Sequence, residues 1–373
     1  VRTDRTVNFN WIFALPHPAL DANCFSVVWT GSVVMPRTMD GCIGLSTQDS
    51  MRLYVDDKLL IDGWGKDKSA DQALDFHFEA GRTYKIRIEF VNDRRGARVI
   101  FGYSAGRENF PAAVEAARKA DVAILCMGDN EETSGENFDR TDLNLPGRQL
   151  ELVQAVYATG TPVVLVLQSG RPVTANWEND HLPAILEAWF PGEQGGTAIA
   201  KTLFGDAAPG GRLPITFPRS VGQIPCHYSR RPGGGKRYVE MDWLPLYPFG
   251  YGLTYTTFAY RDMALSRSVI DPQDTVTVSV TVTNTGKYTG DAVPQLYVRD
   301  MFSSVVKPER QLAAFRRLTL APGESRRVEL TVGPKQLRTL GPDYVWRVEP
   351  GKFELQLGDN AENILLRADL TVE

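Results

Sequence analysis

Cysteine is scarce in this chain, four in 373 residues. Cys24, Cys42, Cys126 and Cys226 lie far apart, without the paired spacing of a zinc site or a redox dithiol. They read as small buried apolar residues and offer no metal site, and a Cys24 to Cys42 disulfide stays open for a secreted protein. Histidine is as rare: His17, His77, His181 and His227 show no local pairing and read as structural or surface residues. No run approaches the roughly 18 apolar residues that cross a bilayer, since the richest stretch, Pro162 to Leu167, has the length of a strand; a membrane span is excluded. Basic clusters are also missing. The formal net charge is −4, with Lys and Arg scattered among acids, which argues against nucleic acid as a partner. No Gly-x-Ser-x-Gly elbow surrounds Ser134 or Ser169. Pro232-Gly233-Gly234-Gly235-Lys236 fails as a phosphate loop, because Arg230 stands where the first Gly belongs and Arg237 where Ser or Thr should follow; it reads as a flexible surface loop. Val1-Arg2-Thr3-Asp4 carries no initiator Met, signal peptide or helix cap. It reads as a cut end, so the lack of a compartment signal says nothing about export.

What the sequence does contain is ordinary globular text, 43% apolar and 23% charged, over a length that exceeds one hydrophobic core and suggests two or three domains. From about residue 24 to 104 apolar residues alternate, as in Met51-Arg52-Leu53-Tyr54-Val55 and Tyr84-Lys85-Ile86-Arg87-Ile88-Glu89-Phe90. Period two with β-branched and aromatic enrichment predicts antiparallel strands, with hairpin turns at Asp56-Asp57-Lys58 and Glu79-Ala80-Gly81. Between about 108 and 255 the texture changes. Ala112 to Ala120 has helical spacing, Val122 to Gly128 is a continuous apolar run, Pro146 to Tyr157 is amphipathic, and Pro162 to Leu167 is a second buried run. Strands without alternation, separated by helices, predict a parallel sheet covered on both faces. From about 264 alternation returns in Thr275 to Val282, Gln295 to Val298, Ser325 to Val332 and Lys352 to Leu357, divided by Pro/Gly turns; this predicts a sandwich of immunoglobulin or fibronectin type III kind. No internal repeat or low-complexity linker intervenes, so close docking of the domains is expected.

One loop concentrates acids. Asp129 to Asp142 holds six acids and one Arg, and it starts at the carboxyl end of the apolar run closing at Gly128, where open parallel sheets bind ligands. A solvated loop, a calcium loop and a catalytic acid compete to explain it. Calcium fits worst, since Ser134 would occupy the sharp-turn Gly position and Arg140 the position of the bidentate Glu. A catalytic acid needs a carboxyl group whose pKa is raised by burial or by a second carboxylate. Residue chemistry alone does not choose among Glu131, Glu132 and Glu136.

Ser134-Gly135-Glu136-Asn137-Phe138-Asp139-Arg140, followed by Leu143-Asn144-Leu145-Pro146-Gly147 and Gln149, resembles the acid/base loop of family 3 β-glucosidases, an S/T-G/E-E-G-x-D-R pattern before L-x-L-P. Trp189-Phe190-Pro191-Gly192-Glu193-Gln194-Gly195-Gly196, Leu203-Phe204-Gly205-Asp206 through Leu213-Pro214, and Tyr247-Pro248-Phe249-Gly250-Tyr251-Gly252 are similar to further blocks of that family. Asn284-Thr285-Gly286 and Gln295-Leu296-Tyr297-Val298 resemble its fibronectin-like domain. Trp29-Thr30-Gly31 through Leu53-Tyr54-Val55-Asp56 and Asp62-Gly63-Trp64 resemble the later part of an inserted PA14 module.

The resemblance implies three parts: residues 1–106 as the C-terminal part of a PA14-like β-sandwich, 107–258 as an α/β sandwich with a mainly parallel sheet, and 259–373 as a fibronectin type III-like β-sandwich. It implies retaining exo-hydrolysis of terminal non-reducing β-D-glucosyl residues, without metal or organic cofactor. Glu136 takes the role of general acid/base, and the Asp nucleophile belongs to a (β/α)8 barrel that these residues lack, so the chain alone supplies one of the two carboxyl groups a retaining mechanism needs. Asp139 and Arg140 are expected to form an ion pair fixing the loop. Trp64 and Phe138 are candidates for substrate contact, with a buried core position as the alternative for Trp64. Asn137 stands where the family commonly has Gly, which bears on the backbone angles of the loop. A β-glucoside substrate, a barrel partner, homo-oligomerisation and a secreted or periplasmic location complete the expectation. Its rivals are a β-xylosidase, a hydrolase of natural-product glucosides, and a glycan-binding module without catalysis.

Overall fold

The computed structural model describes residues 2–11, 15–21, 23–47, 49–65, 70–93, 97–105, 110–233 and 237–373. Residues 234–236, weighed above as part of a phosphate loop, and residue 1, read as a cut end, lie outside the described residues. The chain divides into two compact units, Val1–Pro111 and Ala112–Glu373.

The first unit is all β. Its strands are β1 (Asn8–Asn10), β2 (Phe25–Val34), β3 (Met39–Thr47), β4 (Ser50–Val55), β5 (Lys58–Asp62), β6 (Ala70–Phe78), β7 (Thr83–Asn92) and β8 (Arg98–Ala105). They form two four-stranded antiparallel sheets, in the orders β1-β8-β3-β6 and β2-β7-β4-β5. Alternation does what period two requires: in β7 the residues Tyr84, Ile86, Ile88 and Phe90 are buried while their neighbours face outward. Ile43, Leu45, Leu53, Ile61 and Phe78 join Tyr84, Ile86 and Ile88 in one core cluster, and Phe90 packs with Trp11 and Phe25 in another.

Asp56 and Asp57, with φ of 50° and 62°, make a two-residue turn between β4 and β5, the twist that suits a hairpin. The Asp56 carboxylate also accepts the Lys85 N–H at 2.8 Å. Glu79-Ala80-Gly81 is a correction: it joins β6 of one sheet to β7 of the other rather than closing a hairpin. Alternation reveals which face of a strand is buried, not which strand lies beside it.

The second unit starts with α1 (Pro111–Arg118), β9 (Ala123–Gly128), α2 (Gln149–Tyr157), β10 (Val163–Gln168), α3 (Asn176–His181), β11 (Ala184–Glu187) and α4 (Gly195–Leu203). The strands form a parallel sheet in the order β11-β10-β9. Only the central strand is buried through both faces, with Val163, Leu165, Val166 and Leu167 closed off from solvent. In β9 the expected cover on both faces fails, because Ile124 and Cys126 point to an open face. The sequence then closes into a β-sandwich. One sheet holds Phe258–Leu265, Val276–Asn284 and Ser325–Val332; the other includes Gln295–Asp300, Gly351–Gly358 and Ile364–Val372. Val276, Val278, Val280 and Val282 point inward in strict alternation.

Sandwich and parallel sheet are bonded within this unit. Gln295, 3% exposed, donates to the carbonyls of Gly250 at 3.0 Å and Asp359 at 2.6 Å and accepts the Tyr297 hydroxyl at 2.6 Å. Gly250 has φ of 81°, and a Cβ there would collide with the Gln295 amide. Arg230 adds an ion pair to Glu362 at 2.7 Å.

Candidate active site

The three parallel strands end together at one edge of the sheet, in Gly128, Gln168 and Glu187. Gly128 has φ of 138° and lies so close to Gln168 that a side chain has no room. The Gln149 amide clamps the same peptide, accepting the Gly128 N–H at 2.7 Å and donating to its carbonyl at 2.8 Å. The chain therefore leaves β9 in one fixed direction, with the Asp129 N–H donating to the Gln168 carbonyl at 2.9 Å.

Asp129 is the charge around which the loop is built. Its side chain is 2% exposed. Oδ1 accepts the Thr133 hydroxyl at 2.9 Å and faces Arg140 Nη1 at 3.4 Å. Oδ2 faces Arg171 Nε at 3.5 Å without a hydrogen bond. Arg171 reaches further, donating to the carbonyls of Thr133 at 3.2 Å and Phe138 at 3.3 Å, so one guanidinium holds both ends of the turn from Thr133 to Phe138. Arg140 donates to the Asn144 carbonyl at 2.7 Å and pairs with Asp142 at 3.2 Å. Buried pairs of this kind fix geometry, because a charge out of water must keep its partners.

Glu136 sits at the tip of that turn. It is exposed, and among the described residues its carboxylate has no hydrogen-bond or ion-pair partner. Asn137 has φ of 65°, a left-handed conformation that Asn tolerates well among residues with a side chain, so the departure from Gly keeps the backbone the turn needs. Glu131 and Glu132 are exposed in the preceding turn. The loop thus rests on a buried ion cluster and presents Glu136 outward.

Other expected residues fall differently. Asp139 is exposed and does not pair with Arg140, whose partners are Asp129 and Asp142; sequence neighbours at a turn point apart, and the buried carboxylate wins the guanidinium. Phe138 is half-buried, its ring 3.1 Å from where a Cβ on Gly135 would lie. Trp64 belongs to the first unit and is 39% exposed, with the Arg52 guanidinium 4.6 Å from its ring, so the buried alternative is overturned. All four cysteines are free thiols, and Cys24 and Cys126 are exposed rather than buried. Ser169 is buried, its hydroxyl donating to the Arg171 carbonyl at 2.8 Å. His181 stacks on Trp177 with centroids 4.3 Å apart, a structural role.

Two residues that matter here escaped the sequence reading. Arg171 follows β10 as Asp129 follows β9, and the rule that ligands gather at the carboxyl ends of parallel strands points to both. Glu187 ends β11 at the same edge. Burial pushes its carboxyl up to about 7, against the pull of the Trp189 N–H.

The sequence of most of these elements matches a known family. The description Glycosyl hydrolase family 3 C-terminal domain fits residues 27–255, and Fibronectin type III-like domain fits residues 292–361. The chain belongs to glycosyl hydrolase family 3. It is 45% identical to a β-xylosidase of Formosa agariphila, over 78% of this chain and 42% of that protein. It is 34% identical to a β-glucosidase of Rhizobium radiobacter, over 100% of this chain and 49% of that one. Among solved structures, a β-glucosidase of Kluyveromyces marxianus in complex with glucose superposes with a TM-score of 0.75 at 28% identity, covering 98% of this chain and 47% of the other. The chain spans less than half the length of these family 3 relatives.

Proposed function

We propose that this chain is the acid/base-bearing part of a retaining β-glucosidase, with Glu136 as the group that protonates the departing glycosidic oxygen. The observation that carries the reading is the turn from Thr133 to Phe138. It is anchored by Arg171 at both ends and leaves the Glu136 carboxylate exposed beyond the carboxyl edge of the sheet. Family membership supports it. An acid that works by reaching a substrate held elsewhere needs a rigid base and a free tip, and this loop has both.

In the first step Glu136 gives its proton to the leaving oxygen while an Asp of a (β/α)8 barrel, outside these residues, forms the glycosyl ester. In the second step the Glu136 carboxylate takes a proton from water, which opens the ester. The reaction calls on no metal or organic cofactor. The open face of β9 at Ile124 and Cys126 supports a reading in which further segments of the complete protein pack there. We assign residues 1–106 to part of a PA14-like module, a reading its two antiparallel sheets support, and residues 107–258 and 259–373 to the α/β and fibronectin-like parts. In the second unit Phe138 is then a neighbour of the sugar, Arg140 a loop anchor and Asp139 a supporting loop residue; in the first, Trp64 is an exposed aromatic surface suited to carbohydrate contact. Association into homo-oligomers belongs to the same proposal.

The test replaces Glu136 by Ala in the complete enzyme. Glycosylation from aryl glucosides with good leaving groups persists while cellobiose hydrolysis collapses, and azide restores turnover. Equal loss on both substrates rejects the assignment. The 45% identity to a protein named β-xylosidase favours a second reading, β-xyloside hydrolysis by the same carboxyl group. The ratio of kcat/KM on aryl β-glucoside and aryl β-xyloside separates the two.

A further inference from the structure

Behind the turn that carries Glu136 lies a carboxyl group that no step above uses. Glu187 closes β11, and its Oε1 accepts the Trp189 N–H at 2.8 Å. Oε2 is shut off from solvent and, among the described residues, has no hydrogen-bond partner. Such an oxygen is costly as part of a carboxylate and useful as a hydroxyl, because a buried lone acceptor forfeits its hydration while a protonated one becomes a donor.

The surroundings supply a place for that proton. Ser169 follows β10, whose Leu167 lies in register with Glu187, and spends its own hydrogen on the Arg171 carbonyl at 2.8 Å, which leaves its oxygen free to accept. Arg171 in turn holds the Glu136 turn through the Thr133 and Phe138 carbonyls. On the other side, the Trp189 amide held by Oε1 belongs to a residue with φ of 53°, a conformation a bulky side chain adopts only under constraint. The next residue, Phe190, is 55% exposed. A Cβ built on Gly170 would lie 2.8 Å from the Phe190 ring and 2.9 Å from Ser134 Oγ, so ring and glycine meet the loop at Ser134. The charges that follow the other two strands, Asp129 and Arg171, face each other.

We propose that Glu187 is a positioning residue for the Glu136 loop: in its protonated form it bridges the Trp189 amide and the Ser169 hydroxyl, and so fixes the Phe190 ring and Arg171 against the turn. This rests on the acid/base reading of Glu136. When the proton leaves to solvent, the carboxylate competes with the Arg171 carbonyl for the single Ser169 hydrogen, and the backbone that carries the Arg171 clamp loosens. The upward push on the Glu187 carboxyl from burial puts that change near neutral pH.

The experiment uses the complete enzyme with Glu187→Gln, Glu187→Leu and Ser169→Ala, each assayed across pH on an alkyl β-glucoside, which needs a proton donor, and on a dinitrophenyl β-glucoside, which does not. Gln mimics the neutral form, accepting from Trp189 and donating to Ser169. The Leu and Ala variants are expected to lose about tenfold more kcat on the alkyl than on the dinitrophenyl substrate, the cost of a misplaced acid. The Gln variant keeps the wild-type preference and carries it to higher pH. Glu136→Ala, run in parallel, separates the two readings. If it discriminates between the substrates while the Leu and Ala variants do not, the positioning role is overturned and the acid assignment stands. If Glu136→Ala itself does not discriminate, the acid assignment falls. Should the Leu variant fail to fold, Ser169→Ala, which removes only the hydroxyl, decides, and an unchanged pH profile in Glu187→Gln overturns the proposal.

Discussion

At Asp129 a carboxylate with 2% exposure is shared between two guanidinium groups and a hydroxyl. Removing one partner leaves the charge buried and under-compensated. Arg171→Met is therefore expected to lower the unfolding free energy by about 2 kcal/mol, read by urea denaturation of the complete protein. The double variant with Asp129→Asn loses less than the sum of the single changes, because the orphaned charge is gone; strict additivity would refute the shared cluster. Glu187 gives a second measurement at this scale. Its folded pKa is raised to about 7 from 4.5, so between those values the folded state binds a proton that the unfolded state releases. Its contribution to stability is complete at low pH and fades as pH climbs through about 7, by at most roughly 3 kcal/mol. Denaturation curves at pH 5 and pH 8 should show the fall in wild type and a smaller one in Glu187→Gln. A parallel fall in both would mean the buried carboxyl does not titrate there.

Turns and strands differ in how plainly the sequence wrote them. β9 and β10 were legible because each is a run of apolar residues with no alternation, the text of a parallel strand. β11 and α3 were not: Ala184–Glu187 is four residues long, and Asn176–His181 covers less than two helical turns of mixed polarity, too little for a period to emerge. Glu136 was found through its motif, whereas the Arg171 clamp joins residues 33 and 38 positions apart and no local pattern announces it. The Asp56-Asp57 turn was legible and also permits a sharp comparison. Both residues have positive φ, but Asp56 alone uses its carboxylate, on the Lys85 N–H and Arg82. Asp57→Gly should raise stability by about 0.5 to 1 kcal/mol by relieving the left-handed backbone, while Asp56→Gly gains nothing because it forfeits those bonds. Equal melting shifts for the two would contradict the turn. In the acid loop the same reasoning makes Asn137→Gly neutral for activity and Asn137→Val damaging, since a β-branched residue resists φ of 65°.

On the scale of the molecule, two compact units share one chain, and the second carries both the parallel sheet and the terminal sandwich. What unites that second unit is polar as well as apolar. Gln295 is buried and meets groups from three segments: the Gly250 carbonyl after the α/β layer, the Asp359 carbonyl and the Tyr297 hydroxyl of the sandwich. Replacing it by Leu preserves volume but strands all three, at a cost of about 3 to 4 kcal/mol. The loss falls on the junction rather than on either core, since the sandwich keeps its valine rows and the sheet keeps β10. Calorimetry of the wild type should therefore show residues 112–373 melting as one cooperative transition. In Gln295→Leu that transition should separate into two, with the sandwich the more stable part. A single transition merely shifted downward would mean that the amide stabilises the sandwich alone, and that the position of the acid loop relative to it is maintained by other contacts.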